Sequence, residues 1–166
     1  MTMNLILNIT ANGTEHEVIC EEWYLDEFED ADGFPLSVLE QLQAAIAKEI
    51  GTQQYTIDNF ADEYERVSLE TVAEFLQGYF SDGEPWAAFV AIHGMRYMDK
   101  RAFDNSFEGE YDDLYDFVDS VLSCYEIPRF LEGYIDRGKL LDDLMISDYT
   151  SHEFDYSNTI YVFRNC

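Results

Sequence analysis

The chain has 166 residues, enough for one ordinary domain or two to three very small ones, and 47% of them are hydrophobic. That apolar share, with twelve Tyr and twelve Phe, excludes a disordered acidic tail and supports packed cores. Thirty-five acidic residues against nine basic ones give a net charge of −26, which excludes the basic surface that DNA, RNA or an anionic membrane calls for and favours a basic partner.

In chain order, "NLILNIT", the dipeptide Asn12-Gly13 and "TEHEVIC" predict two strands around a tight turn. The stretch "EEWYLDEFEDADG", Glu21 to Gly33, then carries seven carboxylates in thirteen residues and no Lys or Arg. Part of it imitates a calcium-binding EF-hand loop. With Gly33 at the sixth position, Asp30 and Asp32 fall at the third and fifth. Phe28 and Leu39, however, stand at the first and twelfth, where oxygen ligands are required, and Glu40 comes one residue late. No metal is expected, and the charge needs another explanation.

Ser37 and Glu40 form an S-x-x-E capping box opening a helix with Leu39, Leu42, Ile46 and Ile50 on one face and Gly51 as its stop. "QQYTID" resumes strand character. Residues 68 to 100 read as helical: Ser68 caps "LETVAEFLQGYF", "SDG" reads as a turn, and Pro85 opens "PWAAFVAIHG". From about residue 104 the pattern mixes. "DDLYDFVDSVL" predicts an amphipathic helix with Leu114, Phe117, Val118 and Val121 as its apolar side. Pro128 opens a short segment, "KLLDDLMI" reads as a helix, and "NTIYVFR" as a terminal strand. The sum is α+β, in three small consecutive units: 1–60 (hairpin, helix, strand), 61–103 (mainly helical) and 104–166 (α+β). No repeat, low-complexity tract or Pro/Ser-rich linker appears.

The acids are spread along the chain. Ten precede the first base, Lys48, and seven lie in the base-free run Asp104 to Asp119. Asp112, Asp116 and Asp119 fall at i, i+4, i+7 of the predicted helix, where each like-charge pair costs roughly 0.2–0.5 kcal/mol. Such a ladder is tolerated as a solvated face or used by something that binds it.

Motifs for chemistry are missing. His16, His93 and His152 lie far apart, and none has a second His or a carboxylate four residues later. "GYFSDGE" has the two glycines of a phosphate-binding loop, Gly78 and Gly83, but Glu84 stands where Lys is needed. No G-x-S-x-G occurs. Cys20, Cys124 and Cys166 form no C-x-x-C and no disulfide framework, which fits a reducing cytoplasm. Cys124, in "LSCYEIP" at an apolar helix end, is expected to be buried. No base precedes the first apolar run, so no signal peptide is expected, and no apolar run approaches 18 residues.

Duplex DNA carries about one negative charge per 1.7 Å, so 26 charges correspond to roughly 44 Å of duplex, about 13 base pairs. One helical row supplies only about one charge per 6 Å; several rows together can match the density. Carboxylates so arranged imitate phosphate, and their self-repulsion is the cost of that imitation.

The chain resembles the ArdA family of antirestriction proteins. "AFDNSFEGEYDDLYDFVDSVL" is similar to the family's acidic Phe/Tyr–Gly–Tyr segment leading into a helix. "IPRFLEGYIDRGKLLDDLMISDYT" resembles its Pro…Tyr-[Ile/Phe]-Asp…Asp-Leu pattern through Pro128, Tyr134, Ile135, Asp136, Asp143 and Leu144. Val162, Phe163 and Arg164 resemble its Val-Phe-Arg finish, and Tyr55 and Ile57 resemble its Tyr-x-Ile-x-Asp block, with Asp58 one residue early. Trp23 and Leu25 resemble an N-terminal Gly-x-Trp-x-x-Leu block, in which Glu21 replaces the Gly and Leu25 comes one residue early. The resemblance spans roughly 50–166.

It implies an elongated three-domain α+β homodimer in the cytoplasm of a bacterial host. Such a protein mimics bent DNA and occupies the DNA groove of Type I restriction–modification enzymes, in the core made of specificity and modification subunits. No catalysis, cofactor, metal, nucleic acid or membrane is implied. The contact surface is assigned to Glu21, Glu22, Asp26, Glu27, Glu29, Asp30, Asp32, Asp58, Asp62, Glu63, Asp104, Glu108, Glu110, Asp112, Asp113, Asp116 and Asp119. The dimer contact is assigned to Tyr134, Ile135, Leu140, Leu141 and Leu144. Two other readings use the same residues. One is an acidic module for another basic partner, such as a nucleoid protein, a CRISPR effector or a repressor. The other is a small hydrolase with a carboxylate pair, which needs a concave pocket and one raised carboxylate pKa.

Overall fold

The structure, a computed structural model, describes residues 3–29, 36–52, 54–61, 64–65 and 67–165. They gather into two compact units, Thr2–Glu84 and Pro85–Cys166. The sequence predicts three segments; of the middle one, 61–103, the part up to Glu84 belongs to the first unit and the rest to the second. Helix and antiparallel sheet are both present in each unit, an α+β composition.

The first unit opens with β1 (Ile6–Ala11) and β2 (Thr14–Ile19), paired from Ile6↔Ile19 to Ala11↔Thr14. Asn12 and Gly13 both take positive φ, 53° and 77°, as a two-residue hairpin turn matched to strand twist requires. Leu7, Ile9, Ala11 and Val18 are buried, whereas Thr14, Glu15 and Glu17 are exposed. After a single helical turn, α1 (Glu22–Leu25), comes α2 (Val38–Ile50). Its capping box is complete: the Ser37 hydroxyl accepts from the Glu40 N–H, and the Glu40 carboxylate accepts from the Ser37 N–H at 3.0 Å. Gly51 ends the helix in the left-handed conformation at φ 64°, which costs glycine little. Leu42 and Ile46 are buried; Leu39 and Ile50, on the edges of the same stripe, are half-buried. Then follow β3 (Thr56–Phe60), β4 (Tyr64–Glu65) and α3 (Leu69–Asp82), with Ser68 accepting from the Thr71 N–H. The sheet order is β2-β1-β3-β4, and Phe60 and Phe75, both fully buried, meet edge to face at 5.4 Å.

The expected "SDG" turn is shorter than predicted. Ser81 and Asp82 close α3, and only Gly83, at φ 68°, separates it from α4 (Glu84–His93). Pro85 is the second helical residue, where its missing N–H leaves no bond unmade.

In the second unit α4 is followed by a 3-10 turn (Met95–Tyr97), α5 (Lys100–Ser106) and β5 (Phe107–Tyr111). Next come α6 (Leu114–Ser123), a single turn α7 (Arg129–Glu132), α8 (Arg137–Ser147), β6 (Tyr149–Glu153) and β7 (Ile160–Arg164). The sheet order is β5-β7-β6, which makes β7 the central strand and explains why Tyr161, Val162 and Phe163 are buried in succession. Trp86, Phe89, Phe103 and Phe163 form one ring cluster, and Phe117 of α6 packs edge to face on Tyr111 and Tyr149. No helix among the described residues is long and apolar enough to cross a membrane.

Candidate functional site

The acidic stretch after β2 is tied down by its few apolar members. Leu25 is fully buried, and Tyr24 and Phe28 meet edge to face at 5.6 Å. Lys48, on the last turn of α2, lies 5.0 Å from the Tyr24 ring centroid and 5.3 Å from that of Phe28, and 3.9 Å from the Glu27 carboxylate. The first base in the chain thus serves the first acid run. Glu22, Asp26, Glu27 and Glu29 are exposed around this anchor, and Glu21, half-buried, stands before α1. Trp23 is 64% exposed in their midst. Asp30, Asp32, Asp62 and Glu63 lie outside the described residues, as does half of the EF-hand-like loop, 30–35.

Asp58 joins a second group. A bulge pairs Asn8 with Asn59 but Ile9 with Ile57, leaving Asp58 as the extra residue of β3, and its carboxylate accepts from the Thr10 hydroxyl at 2.7 Å. Glu15, Glu17, Glu49 and Asp58 line one concavity of about 760 Å³ together with His16. The sequence reading included only Asp58 of these. The alternation Glu15-x-Glu17 on one strand face was the available signal; Glu49 comes from a different element and gave none.

The candidates of the second unit divide sharply. Asp104 pairs with Lys100, Asp119 with Arg137, and Glu108 with Arg164 at 2.6 Å. Asp113 is the N-cap of α6, its Oδ1 accepting from the N–H groups of Tyr115 at 2.7 Å and Asp116 at 2.9 Å. Glu110, Asp112 and Asp116 are exposed and have no side-chain partner among the described residues. Glu22, Asp26 and Glu29 of the first unit share that state. The predicted ladder on α6 is also shorter. The helix begins at Leu114, so Asp112 precedes it, and only Asp116 and the paired Asp119 lie on it. A local cap ended the helix where the periodicity alone ran on.

Of the side chains assigned to a dimer contact, Tyr134 is 85% exposed, whereas Ile135, Leu140, Leu141 and Leu144 are half-buried. Helix α8 packs on α6 and β6 of its own unit, which accounts for its leucines. The exposed apolar side chains nearby in sequence are Tyr125, Phe130, Leu131 and Ile146.

Apart from the concavity lined by Glu15, His16, Glu17, Glu49 and Asp58, the groups singled out in the sequence for chemistry lie on separate elements. Among the described residues no cluster of His, Cys, Asp or Glu could hold a metal ion. Gly78, one of the two glycines of the phosphate-loop pattern, lies inside α3, so that segment is a helix rather than a loop of free N–H groups. Burial pushes the Cys20 thiol up to about 12, which keeps it protonated and inert. Cys124, expected to be buried, is exposed: α6 ends at Ser123, and Cys124 lies just past its apolar stripe. His93 is exposed, but partial desolvation against Phe89, whose ring lies 4.5 Å away, lowers its pKa and so favours the neutral imidazole. No family model matches the chain, and no curated protein or solved structure is significantly similar to it.

Proposed function

We propose that this chain is an antirestriction protein of the ArdA kind: a DNA mimic that occupies the DNA-binding groove of a Type I restriction–modification enzyme, in the core made of specificity and modification subunits. The observation that carries the reading is a set of exposed carboxylates without side-chain partners among the described residues, Glu22, Asp26, Glu29, Glu110, Asp112 and Asp116, in a chain of net charge −26. Stability gives no reason to leave so many acids unpaired; a basic partner does. A groove lined with Lys and Arg binds them as it binds phosphates, and both surfaces shed their counterions on contact. The reading includes three small consecutive domains with an acidic surface, a homodimer, and action in the cytoplasm of a bacterial host. Exposed apolar side chains such as Phe130, Tyr134 and Ile146 support a self-contact in the second unit.

The test is protection of unmodified DNA from a Type I nuclease. Intact DNA in the presence of excess protein is the expected result; cleavage at the full rate with the protein folded overturns the reading. The same assay checks how the surface is distributed. Each exposed ionic contact is worth only about 0.2–1 kcal/mol, so Glu110→Gln alone changes inhibition by no more than roughly fivefold. The triple variant Glu22→Gln, Asp26→Asn, Glu29→Gln loses the sum of its contacts. Abolition of inhibition by the single change contradicts a distributed surface.

A further inference from the structure

The second unit holds a cavity of about 670 Å³ whose character is opposite to the rest of the chain. Two of the nine bases in the sequence, Arg96 and Arg164, line it. Phe89, Tyr97, Met98 and Ala102 supply the apolar part of its lining. The volume lies within the roughly 300–1,000 Å³ typical of small-molecule sites, and an apolar lining with a few convergent polar groups is their usual composition.

The charges define what fits. Arg164 is already paired, its guanidinium on Glu108 at 2.6 Å. Arg96 makes no ion pair and no side-chain hydrogen bond among the described residues, although the chain has 35 acids to offer. The cavity also contains Asp99, whose Oδ1 accepts from the N–H groups of Arg101 at 2.8 Å and Ala102 at 3.0 Å. Arg96 offers one guanidinium to a single negative charge, while Asp99 in the same lining and a net charge of −26 weigh more heavily against a dianion than against a monoanion. A guanidinium presents a planar fork of donors that matches a carboxylate. The rings of Phe89, His93 and Tyr97 suit an aromatic body, which stacks or meets them edge to face.

We propose that this cavity binds a small aromatic monocarboxylic acid, its carboxylate on Arg96 and its ring against Phe89, Tyr97 and Met98. The site is independent of the exposed carboxylates: it takes an anion where they take cations.

Phenylacetate is the probe, followed by chemical shifts of the full chain, with phenylacetamide as its neutral isostere and inorganic phosphate as the dianionic control. The expected result is saturable binding of phenylacetate at one site, weakened roughly tenfold or more for phenylacetamide and for Arg96→Gln. Inorganic phosphate leaves the phenylacetate affinity unchanged. Arg96 is exposed, so its substitution leaves the fold intact; Ala102→Phe, which projects a ring into the cavity, is the second variant and abolishes binding. Failure of phenylacetate to saturate overturns the site. Equal affinity for acid and amide, or indifference to Arg96→Gln, overturns the role of the guanidinium, and displacement by phosphate overturns the monocarboxylate class.

Discussion

At the scale of single residues, the acids perform different tasks that composition merges. Asp113 holds the first turn of α6, whereas Asp112 beside it has no partner among the described residues. Asn caps a helix about as well as Asp. Asp113→Asn therefore removes the charge and keeps the fold, whereas Asp113→Ala loses about 1 kcal/mol of stability. Denaturant unfolding of the two variants checks this; equal stability of Asp113→Ala and the parent chain contradicts the capping role. Which acids are engaged within the chain was only partly legible in the sequence. Lys100 and Asp104 stand at the i, i+4 spacing of a helical pair and could be read directly. The partners of Glu108 and Asp119 are Arg164 and Arg137, brought near only by strand pairing and helix packing. Cys124 was misjudged for a similar reason: the sequence gives its apolar neighbours but not the point at which α6 ends.

At the scale of elements, the segments that could be read were those with signals within a few residues. Asn12-Gly13 specifies the β1–β2 turn, and Ser37, Glu40 and Gly51 bound α2. Strand β5, "FEGEY", was hidden because its extended state depends on pairing with β7 and because glutamates and glycine are weak strand formers. Strand β6 and helix α5 were hidden likewise: five and seven residues are too few for periodicity to decide. Gly109 is the special position of β5. It takes φ 150° at a register shift, and a Cβ there would meet the Tyr111 hydroxyl at 3.3 Å. Gly109→Ala is predicted to destabilise the second unit by about 1–3 kcal/mol, read as a lower thermal midpoint. An unchanged midpoint would show that β5 adjusts freely.

At the scale of the whole molecule, charge is the dominant physical fact. A net charge of −26 repels itself within the folded chain more than within an expanded one. Added salt shortens the screening length from about 30 Å at 0.01 M to about 10 Å at 0.1 M. The thermal midpoint is therefore predicted to rise with sodium chloride over that range, and a midpoint that falls contradicts net self-repulsion. Ion pairs such as Lys48–Glu27, Lys100–Asp104, Arg137–Asp119 and Arg164–Glu108, each at least a quarter exposed, lose only a little in exchange. The same physics governs binding. Carboxylates that hinder folding become an asset when a cationic groove neutralises them, and that gain too declines with salt.

The most direct test is therefore competition for that groove. The protein is titrated into a Type I methyltransferase bound to labelled duplex DNA, at two salt concentrations. DNA mimicry predicts that the duplex is released as protein is added, and that more protein is needed at the higher salt. A methyltransferase–DNA complex that persists at both salts, in excess folded protein, contradicts it and directs the search to other basic partners.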